Sequence, residues 1–269
     1  MLFKRTTIPF IQFVLIVYVF LSFTACIDRT NKPRGQIVKE LKEDYATLDM
    51  GDGYLLVNNV WNKSAVIGQF SQKIYEERVD GKKYYGWEWS VPSSSNVVSY
   101  PEIVYGDKPW DVQKHLIKQL PLQIGSTNLI IRFHILVKAN GSYNTAFSFW
   151  INKSISNQID TISHEIMIWT SNHERTPAGQ FQGNYKINGY SVDLYINQQI
   201  LNGNPMVYFT FVSQKPVNKG ELHLNAFIKQ LSVIGYDLKD YYVSSVEFGN
   251  EIQQGQGFAE VIDYSVRFE

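Results

Sequence analysis

The feature that most constrains this chain is a series of short apolar or alternating segments, each separated from the next by residues that favour turns. Asn, Asp and Gly tolerate the positive φ angles of tight hairpins, so Asn-Gly and Asp-Gly pairs between such segments indicate β-hairpins. Many short strands with few helices between them indicate an all-β sandwich or barrel. The turn signals are Asp80-Gly81, Asn140-Gly141, Asn188-Gly189 and Asn202-Gly203-Asn204. The predicted strands are Tyr54–Asn59, Tyr84–Ser90, Leu129–Val137, Thr145–Asn152, His164–Thr170, Ser191–Ile196, Val207–Ser213, Tyr242–Phe248 and Phe258–Phe268.

One segment, "NKGELHLNAFIKQLSVIG", instead has helical periodicity. Its apolar residues follow the spacing i, i+3, i+4 and i+7, at Leu224, Phe227, Ile228 and Leu231. Asn218 with Glu221 three residues later resembles a capping box, and Gly235 is placed to end the helix. The pattern predicts one helix whose apolar face packs on the outside of a sheet.

The N-terminus has the pattern of an export signal. Lys4 and Arg5 precede an apolar run from Ile8 to Ala25, which is followed by Cys26, the one cysteine of the chain. This resembles a bacterial lipoprotein signal that is cleaved before Cys26 and lipidated on its sulfur, although Phe23 stands where leucine is usual. An uncleaved anchor helix or a plain signal peptide is the alternative. All of these place the domain outside the cytoplasm.

The predicted organisation is a signal peptide over residues 1–25, a tether over 26–47 and one folded domain over 48–269. The tether is charged and contains Pro33 and Gly35, and a short helix at Ile37–Lys42 is possible. Because Ile27 rather than aspartate follows Cys26, we expect lipid anchoring at the outer membrane or cell surface. We expect the protein to be a monomer.

Composition excludes several function classes. The 25 basic and 25 acidic residues balance, so no broad basic field favours nucleic acid as a partner. None of the five histidines has HxxxH or HExxH spacing, and no GxSxG motif is present. We therefore expect no metal and no organic cofactor. The aromatic content of 14% suits strands, but flat aromatic faces also line carbohydrate-binding clefts.

Carboxylates remain as candidate catalytic groups. Alternate side chains of a strand share a face, so Glu165 points the same way as Met167 and Trp169, while Ile166 and Ile168 point the other way. An acid among apolar groups is more typical of the base of a cleft than of a solvated surface.

A second segment, "SSVEFGNEIQQGQG", repeats this pattern. Glu247, Gly249 and, if the strand continues, Glu251 share a face opposite Val246 and Phe248. Gly249 leaves room for a ligand or a neighbouring backbone. Parity alone favours ordinary acids at strand ends, because alternating polar faces are the rule in sandwiches.

Several motifs in order resemble one family. They are "NNVWN" (58–62), "GWEWS" (86–90), "SYPEIVYGDKPW" (99–110), "HEIMIW" (164–169), "YFTFVS" (208–213) and "VEFGNEIQQGQG" (246–257). Over residues 51–269 the chain resembles glycoside hydrolase family 12, the endo-β-1,4-glucanases and xyloglucanases. The resemblance implies a β-jelly roll sandwich of two curved antiparallel sheets, with a concave glycan-binding groove and the one packed helix.

The resemblance also implies catalytic roles. Glu165 matches the nucleophile and Glu251 the general acid/base of a retaining glycosidase, in which the two carboxyl groups lie roughly 5–5.5 Å apart. Such a mechanism needs Glu165 ionised and Glu251 protonated at the working pH. The implied substrate is a β-1,4-glucan polysaccharide, either cellulose-like, mixed-linkage glucan or xyloglucan.

Substrate-binding residues follow from the same resemblance. Trp61 matches a position that stacks on a sugar, and Asn59 is a candidate hydrogen-bond partner of that sugar. The other candidate groove residues are Trp89, Trp110, Met167, Trp169 and Glu247. For Trp87, Trp89 and Trp110, a position in the groove and a position in the core are about equally compatible with the sequence. Many family members carry an aspartate that orients the nucleophile, where this chain has Ser148. Its hydroxyl can donate to Glu165 but adds no negative charge.

Two other functions remain open. Ser148 and the tether are also compatible with a surface lipoprotein that binds glycans with little or no turnover. A transglycosylase that uses the same two glutamates is the third possibility.

Overall fold

The computed structural model describes residues 35–111 and 117–269. In these ranges the chain forms seventeen strands and one α-helix. The elements are β1 (Gln36–Leu41), β2 (Thr47–Gly51), β3 (Tyr54–Val57), β4 (Ser71–Val79), β5 (Lys82–Val91), β6 (Glu102–Gly106), β7 (Leu122–Gln123), β8 (Leu129–Asn140), β9 (Tyr143–Asn152), β10 (Ile162–His173), β11 (Gln180–Ile187), β12 (Tyr190–Leu201), β13 (Asn204–Ser213), β14 (Lys219–His223), α1 (Leu224–Val233), β15 (Tyr242–Val243), β16 (Ser245–Gly249) and β17 (Gly255–Phe268).

The strands form two sheets. The six-stranded sheet has the order β1-β4-β5-β17-β8-β14. The eleven-stranded sheet has the order β11-β12-β13-β10-β9-β16-β6-β3-β2, with β15 and β7 attached beside β9. Strand pairs are antiparallel apart from β10 and β13, which run parallel. The expectation of purely antiparallel sheets is therefore wrong at this one pair, because the chain makes the hairpins β11-β12 and β12-β13 before it returns beside β10.

Alternation along the strands creates the core. One face of β9, β10 and β13 is apolar and fully buried, as expected for a sheet that packs on another sheet. These inward residues are Phe147, Phe149, Ile166, Ile168, Phe209 and Phe211. Phe133 of β8 contacts Phe147 and Phe248 of the opposite sheet, with ring centroids 5.2 and 5.5 Å apart. Every second residue of the same strands must then point away from the core.

All of the predicted strands are present, and the segment Tyr242–Phe248 is divided into β15 and β16. The strands that the sequence pattern missed are β1, β2, β4, β6, β7, β11 and β14. Several of them are short or polar edge strands, in which solvent contact on both faces removes the alternation of apolar and polar residues.

The predicted helix begins later than expected. It spans Leu224–Val233 with His223 at its N-cap, and no side chain caps it. The capping box of Asn218 and Glu221 is wrong, because this segment forms β14 and pairs with β8. The predicted apolar face is buried, and Phe227 packs edge-on against the core residue Phe211 at 5.2 Å. The helix therefore closes an end of the core instead of lying on the outside of a sheet.

The predicted C-terminus of the helix is confirmed. Gly235 has a φ of 101°, and its N–H donates to the carbonyl of Ser232 at 3.1 Å. The N–H of Tyr236 donates to the carbonyl of Leu231 at 2.9 Å. These two bonds are those of a Schellman motif, which glycine favours because it adopts positive φ without strain.

The folded domain begins before residue 48. Gln36–Leu41 is the edge strand β1 beside β4, so both the tether beyond residue 35 and the helix at Ile37–Lys42 are wrong. The exposed backbone edge of β4 offers these residues hydrogen-bond partners that a tether would lack. Cys26 and the predicted signal peptide lie outside the described residues. The single α-helix has ten residues, and nothing in the described ranges forms a helix of the length and apolarity that a bilayer crossing needs.

Gly249 lies where two strands approach closely at the end of β16. A Cβ atom at this position would meet the carbonyl oxygen of Pro101 at 2.1 Å and the Cβ of Glu102 at 2.8 Å. The room beside this glycine is therefore filled by neighbouring backbone.

Replacing Gly249 with alanine should lower the free energy of unfolding by about 1–3 kcal/mol, because backbone rather than a flexible side chain must move. Denaturant unfolding followed by tryptophan fluorescence measures the change. Val233→Ala, at an exposed helix position, is the control and should stay within about 0.5 kcal/mol of the parent. Equal midpoints for the two variants would contradict the proposed steric limit.

Candidate active site

A groove of about 740 Å³ lies on the outer face of the eleven-stranded sheet. Its residues come from strands β9, β10, β12, β13 and β16 and from the segments that follow β1, β3, β5, β6, β10 and β16. The residues that line it include Asn59, Trp61, Tyr100, Lys108, Trp110, Ser148, Trp150, Glu165, Met167, Tyr208, Glu247 and Glu251. The two predicted catalytic glutamates therefore lie in one groove.

Glu165 occupies the groove face of β10. Ser148 lies on the adjacent strand β9, and its hydroxyl donates a hydrogen bond to Glu165 Oε1 at 2.8 Å. Met167, on the same face, accepts a hydrogen bond from the Tyr208 hydroxyl through its sulfur. The predicted hydrogen bond from Ser148 to Glu165 is present.

The surroundings of Glu165 favour its protonated form. Burial raises the pKa of Glu165 to about 8, and the charges of Glu247 and Glu251 act in the same direction. The Ser148 hydrogen bond and the Lys108 charge oppose this rise. Desolvation therefore outweighs the groups that stabilise the carboxylate in the unliganded groove. The ionised form of Glu165 at the working pH stays a prediction.

Asn144 orients Glu251 from β9. Its side-chain oxygen accepts from the Glu251 N–H at 2.9 Å, and its Nδ2 donates to Glu251 Oε2 at 2.5 Å. Arg175 reaches the same carboxylate from another segment, with Nη1 3.2 Å from Oε2. Glu251 is thus held by an amide and a guanidinium even though β16 ends at Gly249.

The preceding residue, Asn250, anchors this end of the chain in the interior. Its Oδ1 accepts from Trp87 Nε1 at 2.8 Å, and its Nδ2 donates to the Asn144 carbonyl at 2.7 Å. A second bond from Nδ2 reaches Thr145 Oγ1 at 2.9 Å. A buried and fully used amide of this kind fixes the backbone from which Glu251 projects.

A buried charge cluster adjoins the two glutamates; it consists of Lys108, Glu102 and Glu247. The Lys108 ammonium pairs with Glu102 Oε1, and its Nζ lies 3.6 Å from Glu247 Oε2. Asn59 Nδ2 donates to Glu102 Oε1 at 2.7 Å, and Ser245 Oγ donates to Glu247 Oε1 at 2.9 Å. Burial alone would lower the pKa of Lys108, but Glu102 and Glu247 raise it above its ordinary value, so the side chain is charged.

Two tryptophans are exposed in the groove as predicted. Trp61 is 48% exposed and Trp110 is 41% exposed, and both line the groove. Trp110 makes a T-shaped contact with Trp150, with ring centroids 4.8 Å apart, and the Lys108 ammonium lies 5.8 Å from the centroid of its ring. Large apolar rings are seldom left in water without a ligand to cover them, so these faces are candidate stacking platforms.

Three other tryptophans do not line the groove. Trp89 is buried in the core against Tyr143, so its prediction as a substrate-binding residue is wrong. Trp87 is also a core residue. Trp169 shares the face of Glu165, but the guanidinium of Arg175 lies 5.2 Å from its ring and covers it. Trp169 therefore supports Arg175 and does not line the groove.

Sequence reasoning missed several functional residues. Asn144 and Trp150 have the same parity along β9 as Ser148, so alternation could have placed them on the groove face. Lys108 and Arg175 lie in irregular segments, where no periodicity indicates the direction of a side chain. Asn59 and Glu247 line the groove as predicted, but their observed partners are members of the charge cluster and Ser245.

Within residues 35–111 and 117–269, no group of three or more His, Cys, Asp or Glu side chains is arranged to hold a metal ion.

Comparison with known proteins identifies relatives of this chain. The model of glycosyl hydrolase family 12 matches residues 52–269. Endoglucanase S of Pectobacterium parmentieri is 30% identical to the chain over 220 residues, which cover 79% of this chain and 81% of that protein.

Solved structures agree with the family match. A native family 12 xyloglucanase from Bacillus licheniformis has a TM-score of 0.78 at 27% identity, and the match covers 86% of this chain and 100% of that chain. Endoglucanase 3 of family GH12 from Trichoderma harzianum has a TM-score of 0.68 at 24% identity, with coverage of 86% and 97%. The expected jelly-roll fold is confirmed.

The raised pKa of Glu165 makes stability depend on pH. Below the ordinary carboxyl value of 4.5 the group is protonated in both states, and its full contribution to stability is present. As pH rises towards about 8, the unfolded chain releases the proton while the folded chain retains it, so this contribution is lost. Glu165→Gln should therefore stabilise the domain at pH 9 by on the order of a few kcal/mol and change little at pH 4.

Thermal unfolding of both proteins between pH 4 and pH 9 measures this difference. Asp237→Asn, at an exposed position, is the control and should follow the parent at every pH. Parallel curves of unfolding temperature against pH for the parent and Glu165→Gln would show that the pKa of Glu165 is not raised.

Proposed function

Because the chain belongs to glycosyl hydrolase family 12 and is a glycoside hydrolase, we propose that it cleaves β-1,4-glucan chains internally and retains the anomeric configuration. The observation that carries the proposal is that Glu165, from β10, and Glu251, from the segment after β16, line the same groove and have different partners. Two carboxyl groups in distinct environments are what a double-displacement glycosidase requires.

The proposed reaction has two steps. Glu165, once deprotonated, attacks the anomeric carbon while Glu251 protonates the departing glycosidic oxygen, which leaves a glycosyl ester on Glu165. Glu251 then removes a proton from water, and the resulting hydroxide displaces Glu165 from the sugar. The hydroxyl of Ser148 supports the first step, because its hydrogen bond stabilises the Glu165 carboxylate.

The groove suits a polymeric β-glucan. Trp61 and Trp110 offer flat apolar surfaces to the C–H faces of glucosyl units, and Asn59 offers an amide beside them. The endoglucanase and xyloglucanase among the relatives make cellulose-like glucan, mixed-linkage glucan and xyloglucan the substrates to compare.

Reducing-sugar release from these three soluble glucans tests the proposal. Glu165→Gln and Glu251→Gln should each lower the turnover rate by on the order of 10³-fold or more, because each removes a group that acts in both steps. Glu221→Gln, at an exposed ion pair, is the matched control and should leave the rate unchanged. Proton NMR of the first products should show the β-anomer.

The alternative function has a distinct outcome. If glucan in the gel slows the electrophoretic migration of the parent and no reducing ends are released, the protein binds glycan without turnover. Ser148 is compatible with this outcome. Inversion of the first product, or equal rates for the parent and both glutamine variants, would refute the proposed mechanism. Longer products at high substrate concentration would indicate transglycosylation.

We also propose that the protein is exported and anchored by a lipid on Cys26, at the outer membrane or cell surface, and that the domain is a monomer. The support is the apolar run that ends at Cys26. Cys26→Ser should move the protein from the membrane fraction to the soluble fraction and abolish incorporation of labelled palmitate. An unchanged membrane fraction would favour an uncleaved anchor instead, and size-exclusion chromatography of residues 35–269 tests the monomer.

A further inference from the structure

We propose that Lys108 is a positioning residue for hydrolysis, which through the buried cluster with Glu102 and Glu247 keeps Glu165 able to ionise in the groove. The inference rests on the proposed function of Glu165 as nucleophile. It concerns a lysine that no sequence pattern indicated.

The first support is the burial of the cluster. The side chains of Lys108, Glu102 and Glu247 are only 6%, 0% and 3% exposed, respectively. Desolvation of three charges consumes most of the Coulombic attraction between them, so a buried ion pair is weak evidence for a role in stability. A cluster of this kind at the wall of a catalytic groove is better explained by what it does to the groups beside it.

The second support is the position of the cluster beside the nucleophile. Glu247 of β16 lies directly opposite Ser148 of β9 in the strand register. Ser148 in turn donates its hydroxyl to Glu165. The cluster is therefore separated from the nucleophile by one serine, which carries no charge of its own.

The third support is the balance of charge around Glu165. The titratable groups that face it are Lys108 from the segment after β6, Glu247 from β16, Glu251 from the segment after β16, Tyr208 from β13 and Tyr100 from the segment before β6. Glu247 and Glu251 raise the pKa of Glu165, and the Lys108 charge lowers it. Lys108 thus opposes the repulsion that its own partner Glu247 exerts on the nucleophile.

Two variants should shift the pH profile in opposite directions. Attack requires ionised Glu165, so kcat/KM should rise with pH through the pKa of this group. Lys108→Met removes the favourable cation and should move this rise to higher pH by about one unit. Glu247→Gln removes the repelling anion and should move it to lower pH by a similar amount. Lys108→Arg keeps the charge and should restore the parent profile.

Removal of one partner from a buried pair can prevent folding. The double variant Lys108→Met/Glu102→Gln removes the cation and its first partner together, and should show the same upward shift as Lys108→Met. Lys239→Met, at an exposed ion pair, is the control and should leave the profile unchanged.

Thermal unfolding separates a failure of this inference from a failure of the proposed function. In the parent, the stabilising effect of Glu165→Gln should grow above the ordinary carboxyl pKa of 4.5 and level off at the pKa of Glu165 in the folded protein, whether or not the protein hydrolyses glucan. With Lys108→Met/Glu102→Gln as the background, that stabilising effect should increase at pH 9. An unchanged effect, together with an unchanged kcat/KM profile in any active variant, would overturn the role of Lys108. Absence of hydrolysis in the parent would instead refute only the proposed function.

Discussion

The strict alternation of side chains along β9, β10 and β13 is the constraint on which the rest of the structure depends. Their inward residues, such as Phe147, Ile166 and Phe209, form the contact between the two sheets. Because alternate side chains point in opposite directions, burial of this set leaves Ser148, Glu165 and its neighbours on the outer face. The same packing that stabilises the domain therefore fixes the direction in which the proposed nucleophile points.

The outer face carries two partly or fully buried carboxylates, Glu251 and Glu165, and their polar partners differ. Glu251 is held by the Asn144 amide and the Arg175 guanidinium, whereas Glu165 has only the hydroxyl of Ser148 as a direct polar partner among the contacts described. Burial dominates at Glu165 and favours its proton. Ionisation of the carboxyl group that is proposed to react is therefore unfavourable in the unliganded groove. Groups whose ionisation is perturbed in this way are common in catalytic sites.

Much of the fold and part of the site could be predicted from the sequence. Alternation placed Glu165 and Met167 correctly, because Ile166 and Ile168 form a buried apolar face on β10. Trp89 was misplaced although β5 alternates around it: Trp87, Trp89 and Val91 are buried, while Glu88 and Ser90 are partly exposed. That alternation assigns Trp89 to the core, whereas the family resemblance had favoured the groove. Parity included Glu251 only if its strand continued, but β16 ends at Gly249, and the proposed role of Glu251 came from the family resemblance. Lys108 and Arg175 were missed because the direction of a loop side chain depends on tertiary contacts that periodicity does not encode.

The parallel pairing of β10 with β13 has a consequence for how the site is assembled and how it can vary. A parallel pair cannot be closed by a tight turn, so the strand of Glu165 is completed only after the chain has travelled through β11 and β12 and returned. Contacts this distant in sequence form slowly, so the catalytic strand should be among the later parts of the domain to acquire its final neighbours. The two hairpin turns of this segment, at Asn188-Gly189 and Asn202-Gly203, can change length without displacing Glu165. These turns are therefore free to differ between relatives.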